Sequence, residues 1–129
     1  MEKIFLEDTI KNVPDRELSE LADKFLNSDH GLTRSMSAIQ IALKIDEDHE
    51  KYSKLLLNEM NKSIHFLGIR FGIKSAWTIA IVLIENLKPE DYPKIKKEFD
   101  KWDKDEKEGL LDWLKDFPNH LKVLNEGKL

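Results

Sequence analysis

The chain contains no cysteine, which excludes a disulfide framework, a thiol nucleophile and any cysteine-rich zinc site. A membrane-length hydrophobic run is also missing. Crossing a bilayer takes about 20 predominantly apolar residues, whereas the longest uncharged apolar run, Ala76 to Ile84, is bracketed by Lys74 and Glu85. Glycine-rich phosphate loops of the GxxxxGK and GxGxxG kinds are absent, and so is the GxSxG nucleophile elbow. The histidines His30, His49, His65 and His120 fall one to a region and make no HExxH pair. Asp46 and His49 stand three apart, but helix capping by the cluster from Asp46 to Glu50 outweighs a metal site there. No catalytic residue, metal or cofactor is therefore expected.

What is present is charge of both signs. The 25 acidic residues exceed the 21 basic ones, for a formal net charge of -4, so the average field repels phosphate backbones and favours a basic partner. A chain of 129 residues suits one domain, able to bury roughly two-thirds of its unfolded surface. The amino-terminal stretch MEKIFLEDTIKNVPD places charges inside its first apolar segment and has no secretory core, so a cytoplasmic protein with no membrane role is expected.

Apolar residues recur at helical spacing throughout. Residues 2 to 12 form a weak amphipathic segment, followed after Pro14 by a helix from about 15 to 27. A second helix spans about 33 to 45, with Thr33 able to cap it and Met36, Ile39, Ala42 and Leu43 inward. The next helix turns Tyr52, Leu55, Leu56, Met60 and Ile64 inward. The most apolar stretch, 69 to 87, reads as the central buried helix. Beyond it come a solvated helix over 94 to 104, an amphipathic segment ending at Pro118, and a last turn stopped by Gly127.

An internal repeat organises these helices. The segment from Ser37 to Leu43, SAIQIAL, aligns with that from Ser75 to Ile81, SAWTIAI, and YSKL from Tyr52 aligns with YPKI from Tyr92. Such offsets, 38 and 40, suggest a helix-pair unit. A unit of that length resembles the HEAT family of repeats, with Asp29 and Arg34 similar to that family's Asp and Arg pair. Arg70 stands near the matching helix start of the second unit, but no Asp precedes it. The resemblance implies an all-α, right-handed α-solenoid of about three units, 14 to 45, 49 to 87 and 89 to 117, within one domain, 1–129, of six to seven helices. An irregular helical bundle fits the same periodicities.

Stacked helix pairs line one side of a solenoid with their second helices. That ridge is expected to offer Arg34, Ser37, Gln40, Ile41 and Lys44, then Arg70, Lys74, Thr78, Ile81 and Glu85. Trp77, Trp102 and Trp113 fall on apolar faces and suit core packing, with Trp102 the one expected to expose part of its ring. The leading expectation is a non-enzymatic protein-interaction module, of an inhibitor, immunity or adaptor kind, gripping a protein partner along the ridge. The alternative is a nucleic-acid-binding protein similar in outline to the alkylpurine glycosylases of DNA alkylation repair, with Arg34, Lys44, Arg70 and Lys74 meeting phosphates. None of that family's catalytic residues is found.

Overall fold

The computed structural model describes residues 26–67 and 73–129. Segment 2–12, nearly all of the helix expected over 15–27, and Arg70 lie outside them. Among the described residues six α-helices and three short 3-10 turns are found, with no strand: α1 (Gly31–Ala42), α2 (His49–Glu59), α3 (Ser75–Asn86), α4 (Tyr92–Phe99), α5 (Lys104–Trp113) and α6 (Pro118–Glu126). The all-helical expectation holds.

Helix ends follow local chemistry. The Asp48 carboxylate accepts the Lys51 backbone N–H at 3.2 Å and caps α2, satisfying a donor with no partner inside the helix. Pro93 and Pro118 sit in the first turns of α4 and α6, where the missing N–H leaves no bond unmade. Gly127 closes α6 at φ +71°, a left-handed conformation that a Cβ would strain.

Three boundaries differ from the sequence expectations. Lys74 is extended, so the central helix begins at Ser75 rather than near 69. The helix expected to reach 45 ends at Ala42, and Thr33 lies inside it, accepting the Ser37 hydroxyl at 2.8 Å instead of capping. The helix expected over 94 to 104 stops at Phe99, and a turn carries Trp102 inward before α5 starts. Burying an indole removes on the order of 200 Å² from water, a larger gain than one more solvated helical turn provides.

The neighbours in space are helices separated in sequence. Arg34 Nε donates to Ser75 Oγ at 3.0 Å and Thr78 Oγ1 donates to Ser35 Oγ at 3.0 Å, so the first turns of α1 and α3 lie together and the two helices run parallel. Ala38 and Ala42 of α1 and Ala76 and Ala80 of α3 are all buried. Beside that helix pair, α2 meets the α4 region. His49 Nε2 lies 2.7 Å from Asp91 Oδ2, and Trp102 Nε1 donates to the Met60 carbonyl at 3.1 Å. All four links join residues 41 to 43 apart in sequence. The two segments aligned in sequence at an offset of 38 therefore do lie side by side, with their contacts about one helical turn out of step.

Inside, Ile41, Tyr52, Leu56, Ile79, Leu83, Ile95 and Phe99 belong to one buried cluster, each large side chain contributing about 1.5–3 kcal/mol when fully covered. Helix α6 packs on α4. A Cβ added at Gly109 of α5 would come within 2.9 Å of the Trp77 ring, so glycine is what lets α5 approach α3.

Candidate functional site

Two features of the α1–α3 pair bear on function: a buried polar relay at its amino-terminal end and an apolar groove along its outer side. The relay is built from residues of four elements, α1, α2, the 3-10 turn Ser63–Phe66 and α3. Arg34 Nη1 donates to the Ser28 carbonyl at 2.6 Å and Nε to Ser75 Oγ. His65 Nδ1 lies 2.8 Å from Ser75 Oγ, and His65 Nε2 lies 2.8 Å from Glu59 Oε1. Lys62 closes the line on Glu59 Oε2. Because Arg34 can only donate, Ser75 Oγ accepts from it and keeps its own proton for the His65 carbonyl, 3.4 Å away, or for Nδ1.

This order of serine, histidine and carboxylate is that of a nucleophile, a base and its orienting acid. Accessibility decides otherwise. Ser75 and His65 are wholly buried, Arg34 is 1% exposed, and the serine oxygen is already held by a guanidinium. As arranged, the relay is a structural pin between α1, α3 and the end of α2. Burial pulls the Arg34 guanidinium below its ordinary value, and the nearby Asp29 carboxylate opposes that fall. Burial also pushes the Glu59 carboxyl upward, but the hydrogen bonds from His65 and Lys62, with the Lys62 charge, outweigh it and hold the group below the usual carboxylate range.

The polar ridge expected on the second helices is thus largely inside. Arg34, Ser37, Gln40 and Thr78 are buried. Lys44 is partly covered and paired with Glu47 at 3.3 Å, and Lys74 is paired with Glu106. Glu85 is exposed, with its carboxylate 2.9 Å from His120 Nε2. Trp102, expected on an apolar face with part of its ring exposed for binding, is 5% exposed. It packs between Phe66 and Phe99, with ring centroids 5.1 and 5.0 Å away, and it does not line the α1–α3 groove.

The polar side of α1 lies inward against expectation, whereas the side expected inward divides. Arg34, Ser37 and Ile41, assigned outward, face the interior; of the residues assigned inward, Met36 and Ala42 are buried as expected, Ile39 is partly covered and Leu43 is exposed, and Met36, Ile39 and Leu43 border a groove of about 470 Å³. Leu32 and Leu43 mark its two ends on α1 and are 58% and 67% exposed, while Ile73, Thr78, Ile81, Val82 and Glu85 form the opposite wall. The apolar surface continues across α3. Trp77 and Ile81, one turn apart, share a helix face, Trp77 meets Trp113 at 6.2 Å between ring centroids, and Phe117 stacks edge-on against His120. Of the six exposed large apolar side chains among the described residues, Leu32 and Leu43 border the groove, and Trp113 and Phe117 adjoin it through Trp77 and through His120, the partner of Glu85; such clustering marks interaction sites more than scattered exposure does.

Leu43 escaped the sequence reading because periodicity places it inward for as long as the helix lasts, and the helix ends one residue earlier. Nothing local in the sequence announces the link between His65 and Ser75. No family model, curated protein or solved structure matches the chain.

Proposed function

We propose that the protein is a non-enzymatic interaction module, a HEAT-like stack of helix pairs that receives a helical segment of a protein partner along its second helices. The α1–α3 groove carries the reading. Both walls are helices of 12 residues, about 18 Å long at 1.5 Å per residue, which matches three turns of a docked amphipathic helix with anchors at i, i+3, i+4 and i+7. Supporting the stacked-pair architecture are the links between α1 and α3 and between α2 and the α4 region, all at nearly the same sequence separation.

Binding on this side uses apolar contact rather than the polar ridge, since the ridge groups are committed to internal hydrogen bonds and ion pairs. An inhibitor, immunity or adaptor role in the cytoplasm belongs to the same proposal. No helix is long and apolar enough to cross a membrane among the described residues.

The test is comparative capture from cell extract, with the wild-type chain beside the double variant Leu32→Glu and Leu43→Glu. Both leucines are more than half exposed, so the variant keeps its helical circular dichroism. A partner retained by the wild type and lost from the folded variant supports the groove. Equal retention by both overturns it.

A further inference from the structure

The groove has unlike ends, and this difference specifies its occupant further, given that the groove is the binding site. Because α1 and α3 run parallel, their carboxyl ends emerge together, beside Leu43, Glu85 and Asn86. Neither helix has a basic residue in its last turn, so two sets of terminal carbonyls, each equivalent to about half a negative charge, stand without a cation on their own helices. Among the described residues that line the groove, Glu85 alone is charged. Beyond the lining residues, the turn that follows α1 carries the exposed Asp46, Glu47 and Asp48, and the turn after α3 carries the exposed Glu90 and the buried Asp91. Against these stand Lys44, spent on Glu47, and Lys88, with His120 on Glu85, His49 on Asp91 and Lys94 also on Asp91.

The opposite end is different in kind. Leu32 and Ile73 border it, and the nearby Arg34 is sealed inside the relay. Among the described residues, a trough lined by apolar side chains at one end and carrying a carboxylate at the other complements one arrangement of a ligand: an apolar stripe that finishes in positive charge. We infer that the partner segment is an amphipathic helix of about three turns with basic residues at the end lying beside Glu85. The protein's net charge of -4 steers such a segment inward from a distance.

The probes are two synthetic three-turn peptides with the same leucine and isoleucine stripe. One ends in two lysines and the other in two glutamates. Each is titrated into the full isotope-labelled chain, with backbone and methyl signals of Ile39, Leu43, Ile81 and Glu85 followed by NMR. The lysine-ended peptide is expected to bind about tenfold more tightly at low salt, to lose most of that advantage as salt screens the charges, and to lose it again with Glu85→Lys. Equal binding of both peptides at the groove overturns the charge inference while leaving the groove as the binding site. Failure of either peptide to move the groove signals overturns the interaction reading itself, and the inference with it.

Discussion

Arg34 on α1 and Ser75 on α3, 41 positions apart in the sequence, share a hydrogen bond of 3.0 Å with no access to solvent. That bond fixes which side of α1 is core and which is left to form the groove. The guanidinium, with one of its nitrogens on Ser28, would otherwise stand on the ridge where helical periodicity places it.

Replacing Arg34 should therefore be severe. Arg34→Ala leaves the buried Ser75 hydroxyl and the Ser28 carbonyl without their donor, and it is expected to lower unfolding free energy by about 1–3 kcal/mol for each group stranded. Ser75→Ala should cost about 1–3 kcal/mol, the range for stranding a buried polar partner. Urea denaturation followed by circular dichroism measures both. A solvated arginine on an open ridge would change stability by less than about 0.5 kcal/mol.

Acid should undo part of the same relay. The Glu59 carboxyl titrates below its ordinary range in the folded chain, so the unfolded chain takes up that proton first as pH falls. Its contribution is present in full above the unfolded value, about 4.3, and is lost as pH drops from there through the depressed folded value. Asp91, held low by hydrogen bonds from His49 and Lys94 against the upward push of burial, adds loss below about 3.9. Glu59→Gln is expected to cost about 1–3 kcal/mol at neutral pH and to flatten the decline below pH 4.3. Unfolding free energies measured from pH 7 to pH 3 test both parts.

The tryptophans separate core from surface. Trp102→Phe removes the N–H bond to Met60 and is expected to destabilise by about 1–3 kcal/mol, with the loss of a blue-shifted, acrylamide-protected component of the fluorescence. Trp113→Phe, at a ring that is half exposed, should remove the quenchable red component and change stability by less than about 0.5 kcal/mol.

Gly109→Ala sets two effects against each other. Alanine gains about 1 kcal/mol of helix propensity over glycine, but the new methyl meets the Trp77 ring at 2.9 Å. That ring is packed against Trp113 and donates to Glu106 at 3.3 Å, so it cannot turn aside freely. A net loss of about 1–2 kcal/mol is expected, as overpacked sites usually show, with a changed near-ultraviolet spectrum. A stabilised variant would mean that the ring moves without cost.

Much of the fold was legible because it depends on local rules. Pro93, Pro118, Gly127 and the capping Asp48 each sit where backbone geometry requires, and SAIQIAL and SAWTIAI carried a visible kinship between the helices that became neighbours. The surface was not legible in the same way. Helical spacing identifies two faces of α1, but it does not say which one meets α3, and here an arginine, a serine and a glutamine lie on the buried face. Partners 41 positions away, invisible to any local window, decide the matter. For Trp102 the apolar face was legible, but the full burial of its ring was not: its indole found Met60, 42 positions earlier, in a turn that begins where the helix was expected to continue.

The most direct measurement is hydroxyl-radical footprinting of the chain, free and bound to the partner recovered by comparative capture. Protection is expected at Leu32, Met36, Leu43 and Trp113, with Leu67 and Leu129, equally exposed in the free chain, oxidised as before. Unchanged oxidation at Leu32 and Leu43, with protection gathered around Leu67 or Leu129 instead, would contradict a binding surface on the second helices.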